Sequence, residues 1–137
     1  MELREYFRVD ADVPMFVRQL TKNDAVNYDC NLSGQGFGDA MKKELGRRIN
    51  ISGAGICFES QTPYATGDFL EIRFMLENVY EGLIAVSVEV LRVERRTKDY
   101  CVAVKYVAID EQIRDLIVKF VFLRERILIQ EKRVGWI

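Results

Sequence analysis

Two arginines four residues apart, Arg4 and Arg8, open the chain within Arg4-Glu5-Tyr6-Phe7-Arg8. A guanidinium fork matches phosphate oxygens bidentately, and it can also stack on a planar ring. A second short pattern, Asn50-Ile51-Ser52-Gly53-Ala54-Gly55, reads N-x-S-x-x-G. Its amide and hydroxyl can donate and accept hydrogen bonds to a polar ligand. Gly55 suits a close backbone approach or a dihedral that other residues avoid. Arg47 and Arg48 stand just ahead and would add positive potential, although a solvated strand entry looks the same. Each motif alone is weak, because R-x-x-x-R is common by chance and an Asn-Ser-Gly run is an ordinary Asx-type turn. A binding turn is also a turn, so those two readings coexist.

Asn31-Leu32-Ser33-Gly34-Gln35-Gly36 satisfies the second pattern as well, and lies closer to Arg8. The later copy is the better candidate. Ile49, Ile51, Ile56 and Phe58 place strand patterns on both sides of it, whereas the earlier copy runs into FGDAMKKELGRR, which reads as helix or loop.

Other chemistries are narrowed by composition. The chain has no histidine, which removes Ser-His-Asp and Cys-His arrangements and any histidine-bearing metal site. Lysine or carboxylate chemistry survives that argument, but no such groups gather around a nucleophile. The expectation is a protein that is not an enzyme, with no catalytic residue, metal or cofactor. Cys30, Cys57 and Cys101 show no C-x-x-C spacing and read as reduced thiols. Twenty basic and 21 acidic side chains give a formal net charge of -1. That balance argues against general RNA or DNA binding and leaves room for a local basic pocket. The opening MELREYFRVDADVP has no apolar signal core, and no apolar run approaches the ~20 residues of a membrane span. A soluble cytoplasmic location is expected.

The elements that must position these residues read mostly as strands. With 137 residues, 49% of them hydrophobic, the chain fits a single domain able to fold without disulfides or metal. Residues 7–17 alternate loosely, and Pro14 marks an edge or a bulge. Residues 20–36 are polar and read as loop, and 39–45 as a brief helix that Ser33 or Asp39 would cap. Arg48–Ile51 and Gly55–Glu59 flank the Ser-Gly-Ala-Gly turn. Phe69–Leu76 alternates after Gly67-Asp68. Ile84, Val86, Val88 and Val90 share one strand face, and the phase then slips at Leu91 and Val93, which suggests a bulge or a fully buried segment. ERRTKD reads as a hairpin turn before Tyr100–Ile109. From Asp110 the period becomes helical, with Ile113, Leu116, Ile117, Phe120, Val121, Leu123, Ile127 and Leu128 apolar. That stripe is expected to pack on the sheet, with part of it available to another subunit.

Taken in order, with GICFES, GDFLEIRF, VEVLRVER, YCVAVKYVAID and IRDLIVKFVFLRER between and after them, the two motifs resemble the PilZ family. Its signature is RxxxR followed by (D/N)xSxxG, and the likeness covers the chain apart from about residues 20–46. The resemblance implies a mainly β fold: a six-stranded antiparallel Greek-key barrel, split-barrel-like, with a C-terminal α-helix over about 110–133. Residues 20–46 would then be a short helical insertion between the first two strands, able to cover, complete or block the pocket. It implies a receptor for cyclic di-GMP, with Arg4, Arg8, Asn50, Ser52 and Gly55 at the ligand and Arg47 and Arg48 as less certain additions. Binding would order the Arg4–Arg8 segment and alter how the domain meets an unidentified downstream protein in bacterial motility or biofilm control. Leu3, where an added basic residue would favour a stacked ligand pair, points to a single ligand molecule. A monomer or weak homodimer through the last helix is expected. The alternative is a ligand-independent PilZ-like adaptor acting through protein contacts.

Overall fold

The computed structural model describes residues 7–135. Among them run β1 (Arg8–Leu20), α1 (Lys22–Val26), β2 (Asn31–Ser33), α2 (Asp39–Leu45), β3 (Gly46–Ser52), β4 (Gly55–Ser60), β5 (Phe69–Leu76), β6 (Tyr80–Arg95), β7 (Tyr100–Ala108) and α3 (Glu111–Gly135). The strands lie in the order β6-β5-β1-β3-β4-β7, and β7 pairs back onto β6. This closes a six-stranded antiparallel barrel with no long free edge. β1, β3 and β4 follow one another, and β5 returns to the far side of β1, which is the Greek-key order.

Alternation fills the barrel. Val9, Ala11, Val13 and Met15 of β1 point inward, as do Ile49 and Ile51 of β3 and Ile56 and Phe58 of β4. Ile113, Ile117, Phe120 and Val121 of α3 join the same core. Each large apolar side chain so buried contributes roughly 1.5–3 kcal/mol. Asp110 accepts the Ile113 N–H at 2.9 Å and caps the helix, as its position before the apolar stripe suggests. Pro14 sits opposite Gly46 at the last β1–β3 pair, and from Met15 onward β1 pairs with β5 instead. The proline therefore occupies the position where its missing N–H interrupts neither ladder.

The segment between β1 and β3 holds more structure than its polarity suggests. Thr21 accepts the Asp24 N–H at 3.1 Å and starts α1, whose Ala25 is fully buried. Asn31–Ser33, expected as loop, form the short strand β2 against Leu83–Ala85 of β6. α2 is capped by neither Ser33 nor Asp39. Gly38 occupies the cap without a side-chain bond, Asp39 falls in the first turn, and the Ser33 hydroxyl is engaged with the Gln35 carbonyl.

Polar contacts dock this segment onto the outer faces of β5 and β6. Glu71, only 2% exposed, accepts from Arg18 Nε at 2.6 Å, Tyr28 Oη at 2.6 Å and Arg73 Nη2 at 3.3 Å. Burial alone would raise the Glu71 pKa. The hydrogen bonds from Tyr28 and Arg18, with the Arg73 charge, outweigh it and hold the carboxyl below its ordinary range. Ser87, fully buried, donates to the Ala25 carbonyl at 2.8 Å.

Candidate functional site

The hairpin that joins β3 to β4 is built from the second N-x-S-x-x-G copy. Ser52 ends β3, Gly53 and Ala54 make the connection, and Gly55 begins β4. The Ser52 hydroxyl accepts the Ala54 N–H at 3.1 Å and the Gly55 N–H at 3.4 Å. A serine in this place closes the turn on itself and satisfies two of its backbone donors. Ser52 is 4% exposed, so its hydroxyl orders the corner rather than projecting from it. Gly55 keeps an ordinary negative φ. A Cβ at this position would meet the Val104 carbonyl oxygen at 2.2 Å, so close strand approach is what demands glycine.

Two further side chains fix the turn from outside the motif. Tyr106 of β7 donates its hydroxyl to the Ser52 carbonyl at 3.1 Å, and Arg114 of α3 donates Nε to the Gly53 carbonyl at 3.1 Å. Burial pushes the Tyr106 phenol above its usual pKa, which keeps it a donor. The first turn of α3 and the hairpin are thereby tied together.

Strand register delivers the first motif to the second. Arg8 is the first residue of β1 and pairs with Ser52. It is exposed, and among the described residues it makes no hydrogen bond or ion pair. Arg4 lies outside the described residues. Asn50, two residues along β3, shares the outward side with Ser52, and its Nδ2 donates to Asp10 Oδ1 at 3.0 Å. Its carbonyl oxygen and second N–H remain for another partner.

Arg8, Asn50, Ser52 and Gly55 line one open depression of about 220 Å³ on the outer surface of the barrel. Small residues form its floor. Asn50 pairs with Cys57, Cys57 with Ala103, and Ala103 with Arg92, so one row across the sheet has two small side chains in its middle. Lys105 and Leu91 complete the rim. The lining carries three cations, Arg8, Arg92 and Lys105, and no carboxylate among the described residues. Glu89 stands 3.7 Å from Lys105. In a chain of net charge -1, this is a localised positive hollow suited to an anion.

The two flanking arginines part company. Arg47 has the parity of Ile49 and Ile51 and turns toward the barrel end. There its guanidinium donates to the Glu59 and Met15 carbonyls and lies 5.5 Å over the Phe58 ring. Burial lowers its pKa. Arg48 faces outward beside Asp12, at 3.6 Å. Neither lines the depression. Nor does any residue of 20–46, among those described. The earlier Asn31–Gly36 copy contributes β2 on another part of the barrel.

Leu91, Arg92, Lys105, Tyr106 and Arg114 are at the site without having been singled out by sequence. The phase slip at Leu91 was the available signal for the first two. For the others the decisive fact is which strands are neighbours, and no short pattern states it. Among the described residues, no group of three or more Cys, Asp or Glu is placed to hold a metal ion. No described helix is long and apolar enough to cross a membrane.

The PilZ domain family model matches residues 2–123, and the chain belongs to that family. No curated protein matches it in sequence. Among solved structures, it resembles a tetrameric PilZ domain from Xanthomonas campestris described as self-assembled via an unusual helical bundle. That match has a TM-score of 0.66 and 8% identity, covering 93% of each chain. It is also similar to the inhibitor of motility MotI/DgrA of Bacillus subtilis, with a TM-score of 0.63 and 16% identity over 91% of this chain and 52% of that one. A third is the PilZ domain of YcgR from Escherichia coli, solved with c-di-GMP, with a TM-score of 0.59 and 12% identity over 96% and 98% of the two chains.

Proposed function

We propose that this protein is a cytoplasmic receptor for cyclic di-GMP and not an enzyme. The observation that carries the reading is the pairing of Arg8 with Ser52, which sets the second arginine of RxxxR beside the N-x-S-x-x-G corner. Family membership supports it, as does the YcgR neighbour solved with the same dinucleotide. In this reading Arg8 forks onto a phosphate or a guanine edge, and Asn50 offers its remaining amide groups to a base. Ser52 and Gly55 shape the turn, and Arg4 closes over the ligand from the preceding segment. Ligand binding orders that segment and shifts the surface shown to a downstream protein.

Isothermal calorimetry tests the reading. Wild type should bind cyclic di-GMP, and Arg8→Ala should weaken binding by about a hundredfold or more, the scale of a lost charge-assisted bidentate contact (about 3 kcal/mol). Wild type that gives no heat, or Arg8→Ala that binds as wild type does, defeats it and favours the ligand-independent adaptor.

The outer part of α3 is proposed as the surface for a second copy of the chain. Leu123 and Ile127 of α3 are exposed, and the Xanthomonas neighbour assembles through a helical bundle.

A further inference from the structure

Arg92 owes its place to a β-bulge. Val90 pairs with Val104, yet Arg92 pairs with Ala103, the next residue along β7, so Leu91 is extra. Without the bulge only one of the two would face outward. With it, both Leu91 and Arg92 are exposed and line the depression. Arg92 stands at one end of the row Asn50–Cys57–Ala103–Arg92, and the small side chains between them form a trough. Three strand spacings separate its ends, about 14 Å around the barrel surface.

Among the described residues Arg92 also lacks competing partners. Arg96, four residues on, is held by Asp99 at 3.0 Å and Glu59 at 3.8 Å. Among the described residues Arg92 makes no hydrogen bond or ion pair, and no carboxylate lines the trough it enters. A guanidinium on the lining of a concave, carboxylate-free trough is arranged for an anion.

We infer that Arg92 is a ligand-binding residue outside both motifs, a cation that meets the ring phosphate of the cyclic dinucleotide on the side remote from Arg8. The inference rests on the cyclic di-GMP reading of the same depression. A ligand with two phosphates and two bases is large enough to touch both walls, and the trough then accounts for its length as well as its charge.

Arg92→Ala and Arg92→Lys test it, titrated with cyclic di-GMP by calorimetry at about 50 and 200 mM salt. Arg92→Ala should bind about tenfold more weakly than wild type, and its affinity should fall less between the two salt concentrations. Arg92→Lys should recover the salt dependence and part of the affinity, because it restores charge without the fork. Thermal melts of both variants should match wild type, since the side chain is exposed. If Arg92→Ala keeps wild-type affinity and salt dependence while Arg8→Ala does not, the role of Arg92 is overturned and the receptor reading stands. If wild type itself fails to bind, both fall.

Discussion

Gly55 is constrained by a neighbour. Its φ is unremarkable, but the Val104 carbonyl occupies the space a side chain would need, and that atom is backbone in a paired strand. Relief requires moving β4 away from β7 along a six-residue ladder. Gly55→Ala should therefore cost about 2 kcal/mol, as overpacking does, and lower the melting temperature by roughly 6–8 °C. A melt unchanged from wild type would refute the contact. At this scale the sequence marked Arg8, Asn50, Ser52 and Gly55 as a group, because their types and order form a pattern. It did not separate their duties. Ser52 is a candidate ligand group by type, and the string of letters does not show that its hydroxyl also accepts two backbone N–H groups of its own turn. Arg47 and Arg48 are adjacent and chemically alike, yet strand alternation sends one to the barrel end and the other to solvent.

Elements with a strong period were legible, and those made by contact were not. β5 spans Phe69–Leu76 as its alternation indicates, and α3 starts where Asp110 caps it. α1 and β2 carry too few residues for a period to show, and they form because Glu71, Ser87 and Leu83–Ala85 give them a surface to lie on. α3 divides between a side that packs on the core, as far as Leu128, and a side that does not. Ile113, Ile117, Phe120 and Val121 are buried, whereas Leu123 and Ile127 continue the apolar stripe into solvent at 36% and 43% exposure. Side chains of this size left exposed on adjacent turns favour association through that face. Sedimentation should show wild type dimerising at high micromolar concentration and Ile127→Glu remaining monomeric, with matching melts in dilute solution. Wild type that stays monomeric throughout would show that the stripe is merely exposed.

For the whole molecule, barrel closure by β6 and β7 decides where the cations converge, and this lies beyond any local pattern. Arg8 and Arg92 are 84 positions apart in the sequence and become two rims of one hollow only because six strands close around the core. The same closure leaves a separate face, over β5 and β6, to the segment between β1 and β3. Since the described residues of 20–46 stay out of the hollow, that segment should govern stability and leave ligand affinity alone. Glu71 is the place to test this, because Arg18 and Tyr28 both converge on its buried carboxylate. Glu71→Gln keeps the shape and loses the charge. It should destabilise the protein at pH 7 by about 2 kcal/mol, a value discounted because Arg18 is half exposed. Cyclic di-GMP affinity should stay within about twofold. The pH dependence has a definite sign. The folded Glu71 pKa lies below its unfolded value, so the unfolded chain binds the extra proton as pH falls below the ordinary carboxylate value of about 4.3. The contribution of this group is complete above that value and is lost as pH falls through the folded pKa, so the gap between wild type and Glu71→Gln should narrow in acid. A gap constant with pH would show that the carboxylate charge does not hold the segment in place. Affinity falling in parallel with stability would show instead that the segment reaches the ligand.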